Sequence, residues 1–238
     1  VGCGMPHVLQ IKGGIPLKGR PAGRASRDNG PMTARRPTAY NAISTSSRVE
    51  ILHLLQTTPQ QTVGELVKAT KLHPNTVREH LQRLIERGFV ATEIEKRTVR
   101  GRPRVFYRAV DGVSVSSPEH RRKVQAAVER GDLMRRVMPD TAGSLTGEEQ
   151  HQLDALVEQL LDGGFDPEID EDGLTIDLTP CVHAADQADN RETLCDVHLG
   201  LMQGALSEAG GPLAVDGMRS SCDPQQCVIQ LLRRRPEA

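Results

Sequence analysis

Apolar residues recur at helical spacing in three short segments of the first half of the chain. The second segment begins with Thr62 and Glu65 at the spacing of a capping box. The third begins with Pro74, which suits the first turn of a helix. Residues 71–73 form a tight turn between these two segments, and Gly88 ends the third. The pattern predicts three helices, of which the last two form a helix-turn-helix.

The polar face of the third segment carries side chains that suit a DNA major groove. Amide and guanidinium groups can bond base edges there, and a recognition helix presents them from its first turns. The candidates for DNA contact are Asn75, Thr76, Arg78, Glu79, Gln82 and Arg83. His80, on the same helix, is either a packed core residue or a phosphate contact.

Two runs rich in β-formers, residues 89–94 and 105–110, flank a strongly basic segment. That segment, residues 95–104, contains five Lys and Arg side chains and a Gly-Arg-Pro sequence. Two strands with a basic tip form a wing, whose cations neutralise phosphates and whose tip can enter a minor groove. Beside a helix-turn-helix this interpretation outweighs a merely solvated hairpin. The candidates for DNA contact in the wing are Arg97, Arg100, Arg102 and Arg104.

Residues 44–110 resemble the winged-helix repressors of the broad ArsR-like class. The resemblance rests on HPNTVREHLQRLIERGFV, residues 73–90, followed by RGRPRVFYRAV, residues 100–110. It implies a winged helix-turn-helix that binds a double-stranded DNA operator. It also implies a homodimer, because such repressors read two half-sites with two copies.

The second half of the chain predicts two further helices and then a small α+β domain. Helical periodicity covers residues 118–138 and 147–162, and the apolar stripe of the latter is either ordinary core or a dimer seam. Two strand-like runs around residues 170–173 give a hairpin signal, a helix follows from about 190 to 209, and a last strand begins at Cys227. The predicted fold class is therefore α+β: an N-terminal winged helix-turn-helix, a helical linker or dimerisation segment, and a small C-terminal sensor domain.

The N-terminal part of the chain is basic, and the C-terminal part is acidic. Residues 1–40 and residues 41–110 each carry a net charge of +6, whereas residues 111–238 carry −13. This asymmetry indicates that nucleic acid binds the basic N-terminal part. We predict a disordered basic tail over 1–40, a DNA-binding domain over 41–112, and a dimerisation and sensor part over 113–238.

The same sequence favours a cytoplasmic protein that binds no membrane. No apolar run approaches the ~18 residues that a membrane span needs, and the start lacks the apolar stretch of a secretory signal. The tail is rich in Gly, Pro, Arg and Ser and partly precedes Met32. It is either an over-extended reading frame or a basic arm that adds non-specific affinity for DNA.

Four of the five cysteines lie in three separated segments of the second half. Cys181 follows the predicted hairpin, and Cys222 and Cys227 enclose four residues. Cys195 and His198 are three residues apart on a predicted helix, so their Cβ atoms lie about 5–6 Å apart on one face. Thiolates with one imidazole suit an iron–sulfur cluster and equally a tetrahedral zinc site. Spacing alone also allows buried, inert thiols.

A cysteine enzyme with Cys195 as nucleophile and His198 as base is disfavoured. A reactive cysteine needs cationic surroundings that favour the thiolate, but this region is crowded with carboxylates. These are Asp189, Glu192, Asp196 and Asp223. No Gly-rich phosphate loop or paired-carboxylate motif stands out either, so the chain is predicted not to be an enzyme.

The C-terminal part resembles that of SufR-type regulators, winged-helix proteins that repress iron–sulfur cluster assembly genes. The matching residues are CVHAADQADNRETLCDVHLGLMQGAL, residues 181–206, followed by DPQQCVIQL, residues 223–231. The resemblance implies a C-terminal iron–sulfur cluster (4Fe–4S or 2Fe–2S) that governs DNA binding. Val182 and His183 replace the usual Pro-Phe pair of that family.

The same resemblance implies a ligand set. Cys181, Cys195 and Cys227 match the cysteine positions of the family, and His198 matches its histidine. Cys222 falls where the family pattern varies, so the fourth ligand is either Cys222 or His198. The alternative is a winged-helix regulator with a zinc-binding or small-molecule effector domain. Cys3, in the tail, is not expected to take part.

Overall fold

The computed structural model describes residues 43, 45–96, 101–138, 144–179, 191–220 and 227–234. The predicted tail, residues 1–40, lies outside them. The elements are α1 (Ser46–Thr57), α2 (Val63–Thr70), α3 (Pro74–Glu86), β1 (Val90–Ile94), β2 (Val105–Ala109), α4 (Pro118–Val137), α5 (Gly147–Asp162), β3 (Glu168–Asp170), β4 (Thr175–Asp177), α6 (Arg191–Ala209), β5 (Leu213–Ser220) and β6 (Cys227–Arg233). The predicted α+β class is confirmed. Within the described ranges, every helix is too short or too polar to span a membrane.

The helix-turn-helix forms where the sequence predicts it. The Thr62 amide donates to Glu65 Oε2 at 2.7 Å, and Thr62 Oγ1 accepts from the Glu65 amide, which completes the capping box of α2. Lys71 ends α2 with a φ of 58°, in the left-handed region. His73 caps α3, because its Nδ1 accepts from the Asn75 amide at 3.3 Å. Local capping signals therefore fix both ends of the turn.

The wing is an antiparallel pair of β1 and β2, in register from Val90 opposite Ala109 to Ile94 opposite Val105. A third segment supports it, since Gln61 and Tyr107 exchange two backbone hydrogen bonds of 3.1 and 2.8 Å. The wing is thereby anchored to the residue just before the cap of α2.

The C-terminal sheet has the strand order β3-β4-β6-β5, and all neighbouring strands are antiparallel. Residues 213–220 form β5, a strand that the sequence did not predict. This strand pairs with β6 from Leu213 opposite Arg233 to Ser220 opposite Cys227, with an irregularity between Val215 and Gly217. The irregularity interrupts the alternation by which a strand is recognised in a sequence.

Helices α4 and α5 pack antiparallel and are joined by ion pairs along their length. Lys123 reaches Asp162 at 3.3 Å, and Arg135 reaches Asp154 at 2.7 Å. On α5 the residues Leu153, Leu156 and Leu160 are buried in this chain's own core, whereas Leu161 is 47% exposed. The apolar stripe of α5 is therefore mostly core, and it is not free to form a dimer seam along its whole length.

Helix α6 contributes to both hydrophobic cores. Leu194, Val197 and Leu201 pack into the core of the winged helix-turn-helix. Met202 and Leu206 pack into the second core, with α5 and the C-terminal sheet. The helix that carries Cys195 is therefore also part of the winged helix-turn-helix half.

The junction between α6 and the N-terminal half depends on glycine. Gln56 Nε2 on α1 donates to Val197 O at 3.2 Å, and a Cβ at Gly200 would overlap that amide group. Gly112, just after β2, has a φ of 71°, and a Cβ there would lie 2.6 Å from the Glu208 nitrogen. Close backbone approach thus fixes the position of α6. The domain boundary after residue 112 stays a prediction, but α6 packs on both sides of it.

His120 should make stability depend on pH. It is 6% exposed, with Nε2 3.4 Å from Gly204 O, and burial lowers its pKa. The unfolded chain takes up a proton near pH 6.5, so it binds more protons than the folded chain and stability falls as the pH drops below that value. Between pH 7.5 and 5.5 we expect a loss of at most about 1.4 kcal/mol. Urea unfolding at both pH values should show a smaller loss in His120→Gln; an equal loss would contradict this role.

Candidate nucleic-acid interface and sensor segment

Helix α3 presents a polar surface opposite its buried face. The buried face consists of Val77, Leu81 and Leu84. The predicted DNA contacts Asn75, Arg78, Glu79, Gln82 and Arg83 are exposed, and Thr76 is half-buried. The predicted recognition surface is therefore open to a ligand along the length of the helix.

Two of these side chains are positioned by contacts within α3. Arg78 Nη1 donates to Asn75 Oδ1 at 3.1 Å, and Gln82 Nε2 donates to Glu86 Oε1 at 3.0 Å. All four groups are exposed, so these hydrogen bonds exchange readily with water or with base edges.

His80 is half-buried, and its Nδ1 is buried without a hydrogen-bond partner among the described residues. Burial lowers the pKa of His80, and the positive charges of Arg48 and Arg83 lower it further. A neutral imidazole attracts phosphate less than a cation does. Of the two predicted roles, the surroundings favour the packed residue.

The root of the wing tip is held by Glu95 and Arg104. The Glu95 amide donates to Arg104 O at 2.9 Å, and the Arg104 amide donates to Glu95 Oε2 at 3.1 Å. The side chains of Arg102 and Arg104 are exposed. Arg97 and Arg100 lie outside the described residues.

Of the predicted metal ligands, Cys195, Cys227 and His198 are described, and Cys181 and Cys222 are not. In the ranges that the structure describes, no group of three or more His, Cys, Asp or Glu side chains is close enough to hold a metal ion. Two of the predicted cysteine ligands, Cys195 and Cys227, are described, and the strands and helix around them show which end of the domain they occupy.

Cys227 begins β6 beside the end of β4. Its amide donates to Thr179 Oγ1 at 3.3 Å, and its carbonyl accepts from the Leu178 amide at 2.8 Å. Cys181 follows Thr179 by two residues, which is at most about 7.6 Å of chain between Cα atoms. The segment that leads to Cys181 thus starts next to Cys227.

Helix α6 returns to the same end of the domain. It packs on β5, where the Val215 amide donates to Gln203 Oε1 at 3.2 Å. From Gln203 back to Cys195 the helix covers about 12 Å, and from Val215 forward to Ser220 the strand covers about 16 Å. Cys195 therefore lies near the level of the last residues of β5, where Ser220 pairs with Cys227.

Cys195 and His198 meet different surroundings. Cys195 is half-buried and shares helical spacing with Leu199, Met202 and Leu206, all of which contact the second core. Cys227 belongs to that same core. His198 stacks edge-to-face on Phe165, with ring centroids 5.3 Å apart, and lines a cavity of about 20 Å³ between the two cores.

Residues 45–92 match the model of a family described as bacterial regulatory protein, arsR family. This part of the chain is an ArsR-family helix-turn-helix domain. The ArsR-family domain comprises α1 to α3 and enters β1, and the family is one of transcription regulators rather than enzymes. The chain is therefore a DNA-binding transcription regulator, as the sequence predicted. No curated protein and no solved structure matches it.

Sequence reasoning did not find the residues that join α6 to the ArsR-family domain. Gln56 and Gly112 contact α6 from far away in the chain. The sequence does contain one indication that another segment packs closely on α6. Gly200 and Gly204 lie four residues apart inside a predicted helix, and glycines at this spacing allow close backbone approach.

Proposed function

We propose that this regulator is a homodimeric, cytoplasmic repressor whose affinity for its operator is switched by an iron–sulfur cluster on C-terminal cysteines. We further propose that it controls iron–sulfur cluster assembly genes. One observation supports the proposal: Cys227 bonds Thr179, two residues before Cys181, and pairs with Ser220 at the end of β5 toward which the start of α6, with Cys195, also runs. The helix at that end also packs into the DNA-binding core.

On the DNA side, α3 enters the major groove and reads bases with Asn75, Thr76 and Arg78. Glu79, Gln82 and Arg83 flank them on the exposed face. The wing arginines contact the phosphate backbone and the adjacent minor groove. This division follows the usual one, in which base contacts specify the sequence and phosphate contacts position the protein.

On the sensor side, Cys181, Cys195 and Cys227 supply three thiolates. Cys222 is the better candidate for the fourth ligand, because thiolates are the usual ligands of such clusters; His198, whose ring packs on Phe165, is the alternative. When bound, the cluster would supply a cross-link between separate segments that oxidation or loss of iron can break. The same four thiolates also suit tetrahedral zinc, which is the second candidate function of this domain.

The chain's own residues provide a route from the sensor to the DNA. Cys195 lies between Leu194 and Val197, whose side chains fill the core next to α1. Gln56 links α1 to the Val197 carbonyl. A shift of the first turns of α6 therefore displaces α1, against which α3 packs. A coupling free energy of about 1–3 kcal/mol would change operator affinity about 5–150-fold.

The test compares DNA binding with and without the cluster. The protein is purified without oxygen, its iron and sulfide are measured, and a duplex that it selects from random sequences serves as the operator. We expect a brown protein whose affinity changes after chelation of the iron. Equal affinities of the two forms would refute the switch, and a colourless, zinc-bearing protein would favour the zinc alternative.

Replacing wing arginines should weaken binding to all DNA sequences alike. For Arg102→Ala and for Arg104→Ala, the slope of log affinity against log salt should become shallower by about 1, because one phosphate contact is lost. Asn75→Ala should instead cost about 1–3 kcal/mol on the selected duplex and little on others. Fluorescence anisotropy at several salt concentrations measures both effects.

Arg234→Ala is the matched control for the wing, because it removes one exposed positive charge from the end of the C-terminal sheet. It should leave the salt slope at the wild-type value. If the wing variants behave like Arg234→Ala, the wing does not contact DNA.

A further inference from the structure

Glu79 is an acidic side chain in the middle of the predicted recognition surface. It is exposed, and at 3.6 residues per turn it lies roughly 160° around the axis of α3 from both Val77 and Leu81, which are buried. Arg78 and Arg83, both exposed, lie on either side of it around the helix. When α3 enters a major groove with its buried face turned to the core, Glu79 therefore faces the base edges, and the two arginines lie nearer the phosphates.

The Glu79 carboxylate accepts no hydrogen bond and forms no ion pair within the part of the chain that the structure describes. Arg83, four residues further on, has the spacing of a helical ion pair but does not form one with it. The other acidic side chains of α3 and the wing each have a donor from a neighbouring residue; they are Glu86, Glu93 and Glu95. Glu79 is thus a carboxylate whose donors come from water in the free protein.

A carboxylate at this position lowers the affinity for most DNA sequences. Docking removes water from Glu79, and a desolvated carboxylate without a donor is strongly unfavourable. The phosphates of both strands also repel it, although Arg78 and Arg83 reduce this repulsion. Only a base that offers a donor compensates for the lost water, so the charge discriminates between sequences by rejecting the wrong ones.

The four bases differ in what they offer to a carboxylate in the major groove. Guanine presents the acceptors N7 and O6, and thymine presents the acceptor O4 and a methyl group. Adenine presents the N6 amino donor, but beside the acceptor N7. Cytosine presents the N4 amino donor and no acceptor. Because an ionised carboxylate can only accept hydrogen bonds, cytosine is its best partner.

We propose that Glu79 selects a cytosine at one position of each operator half-site. The inference deepens the proposed function and rests on it, because it names part of the DNA sequence that α3 reads. The neighbouring pair Asn75 and Arg78 suits other bases. Asn75 Oδ1 already accepts from Arg78 Nη1 at 3.1 Å, so with this hydrogen bond kept the pair presents N–H donors, which match acceptor edges such as that of guanine.

The test compares the duplexes that the full-length wild type, Glu79→Ala and Glu79→Gln select from random sequences, all three purified without oxygen. The wild type should select one cytosine at a fixed position of each half-site. Replacing that C·G pair by T·A should lower wild-type affinity about 5–150-fold but the affinity of Glu79→Ala less than about 2-fold. Glu79→Gln should prefer adenine there, because a carboxamide can bond N6 and N7 together. Fluorescence anisotropy measures the affinities, and retained preference at the remaining positions shows that a variant is folded.

Glu50→Ala is the matched control, because it removes an exposed carboxylate from α1 instead of α3. It should keep the wild-type preference at every position; a loss of the cytosine preference in this variant would overturn the inference. A wild type with a sharp preference that Glu79→Ala keeps at every position would also overturn it, and would leave the proposed DNA binding intact. A wild type that prefers no duplex would refute the proposed function, and the inference with it.

Discussion

Cys195→Ser protein, purified without oxygen, should lack the brown colour and most of the iron and sulfide of the wild type. Cys195 lies on the side of α6 that faces the core containing Cys227, so its loss removes one ligand from the proposed set. A serine hydroxyl is a poor substitute for a thiolate in such a site. The affinity ratio between untreated and chelated protein, expected at about 5–150-fold for the wild type, should fall to about 1. Visible absorption, metal analysis and operator binding measure the three effects.

Cys3→Ser is the matched control, because it makes the same substitution in the N-terminal tail. It should keep the colour, the metal content and the response to chelation. Wild-type iron and sulfide in Cys195→Ser would remove this residue from the ligand set. If Cys195→Ser loses its cluster but its DNA binding still responds to chelation, the response does not come from the cluster.

Gly112→Ala should destabilise the protein by about 3 kcal/mol or more. Alanine at a φ of 71° is strained by about 1–3 kcal/mol, and its methyl group would overlap the Gly204 carbonyl and the Glu208 nitrogen. Because both partners belong to a helix backbone, neither can move without moving α6, and such overlap costs about 1–3 kcal/mol more. Urea unfolding at pH 7.5 measures the difference.

Gly147→Ala is the matched control. Gly147 is the first residue of α5, and a Cβ there has no atom within 4 Å. This variant should be neutral or more stable by about 0.4–1 kcal/mol, because alanine restricts the unfolded chain. A loss below about 1 kcal/mol in Gly112→Ala would show that α6 and the loop can separate at little cost.

The DNA-binding domain could be predicted from the sequence because its signals are local. The capping box of Thr62 and Glu65, the turn ending at His73 and the proline at the start of α3 each involve residues within four positions of one another. The periodicity of α3 also separates its buried and polar faces, so the exposed side chains were predicted together with the helix.

The rest of the architecture depends on contacts between distant residues. Nothing near Gly112 in the sequence indicates that the backbone of α6 passes against it, and nothing near Gln56 indicates a bond to residue 197. The apolar stripe of α5 left core and dimer seam open, because spacing shows that a face is buried but not which surface buries it. Strand β5 was missed because its alternation breaks between Val215 and Gly217.

The cysteine site stays a prediction. Cysteine spacing left an iron–sulfur cluster, a zinc site and inert buried thiols open, since the first two accept the same donors and spacing does not show whether the thiols bind a metal. The sequence also paired Cys195 with His198 as neighbours on one helical face. Their contacts separate them, because the His198 ring packs on Phe165 between the cores, whereas Cys195 shares helical spacing with residues of the second core. Such a difference arises from tertiary packing, which helical spacing alone does not record.

The contact between α1 and α6 also sets when the protein can finish folding during its synthesis. Gln56 and Val197 are 141 residues apart. At a translation rate of about 5–20 residues per second, α6 leaves the ribosome roughly 7–28 s after α1. Until then the apolar face of α1 that Leu194, Val197 and Leu201 cover lies open, as a surface for chaperones or for aggregation. A nascent chain therefore cannot complete the core of its DNA-binding half before α6 has been made.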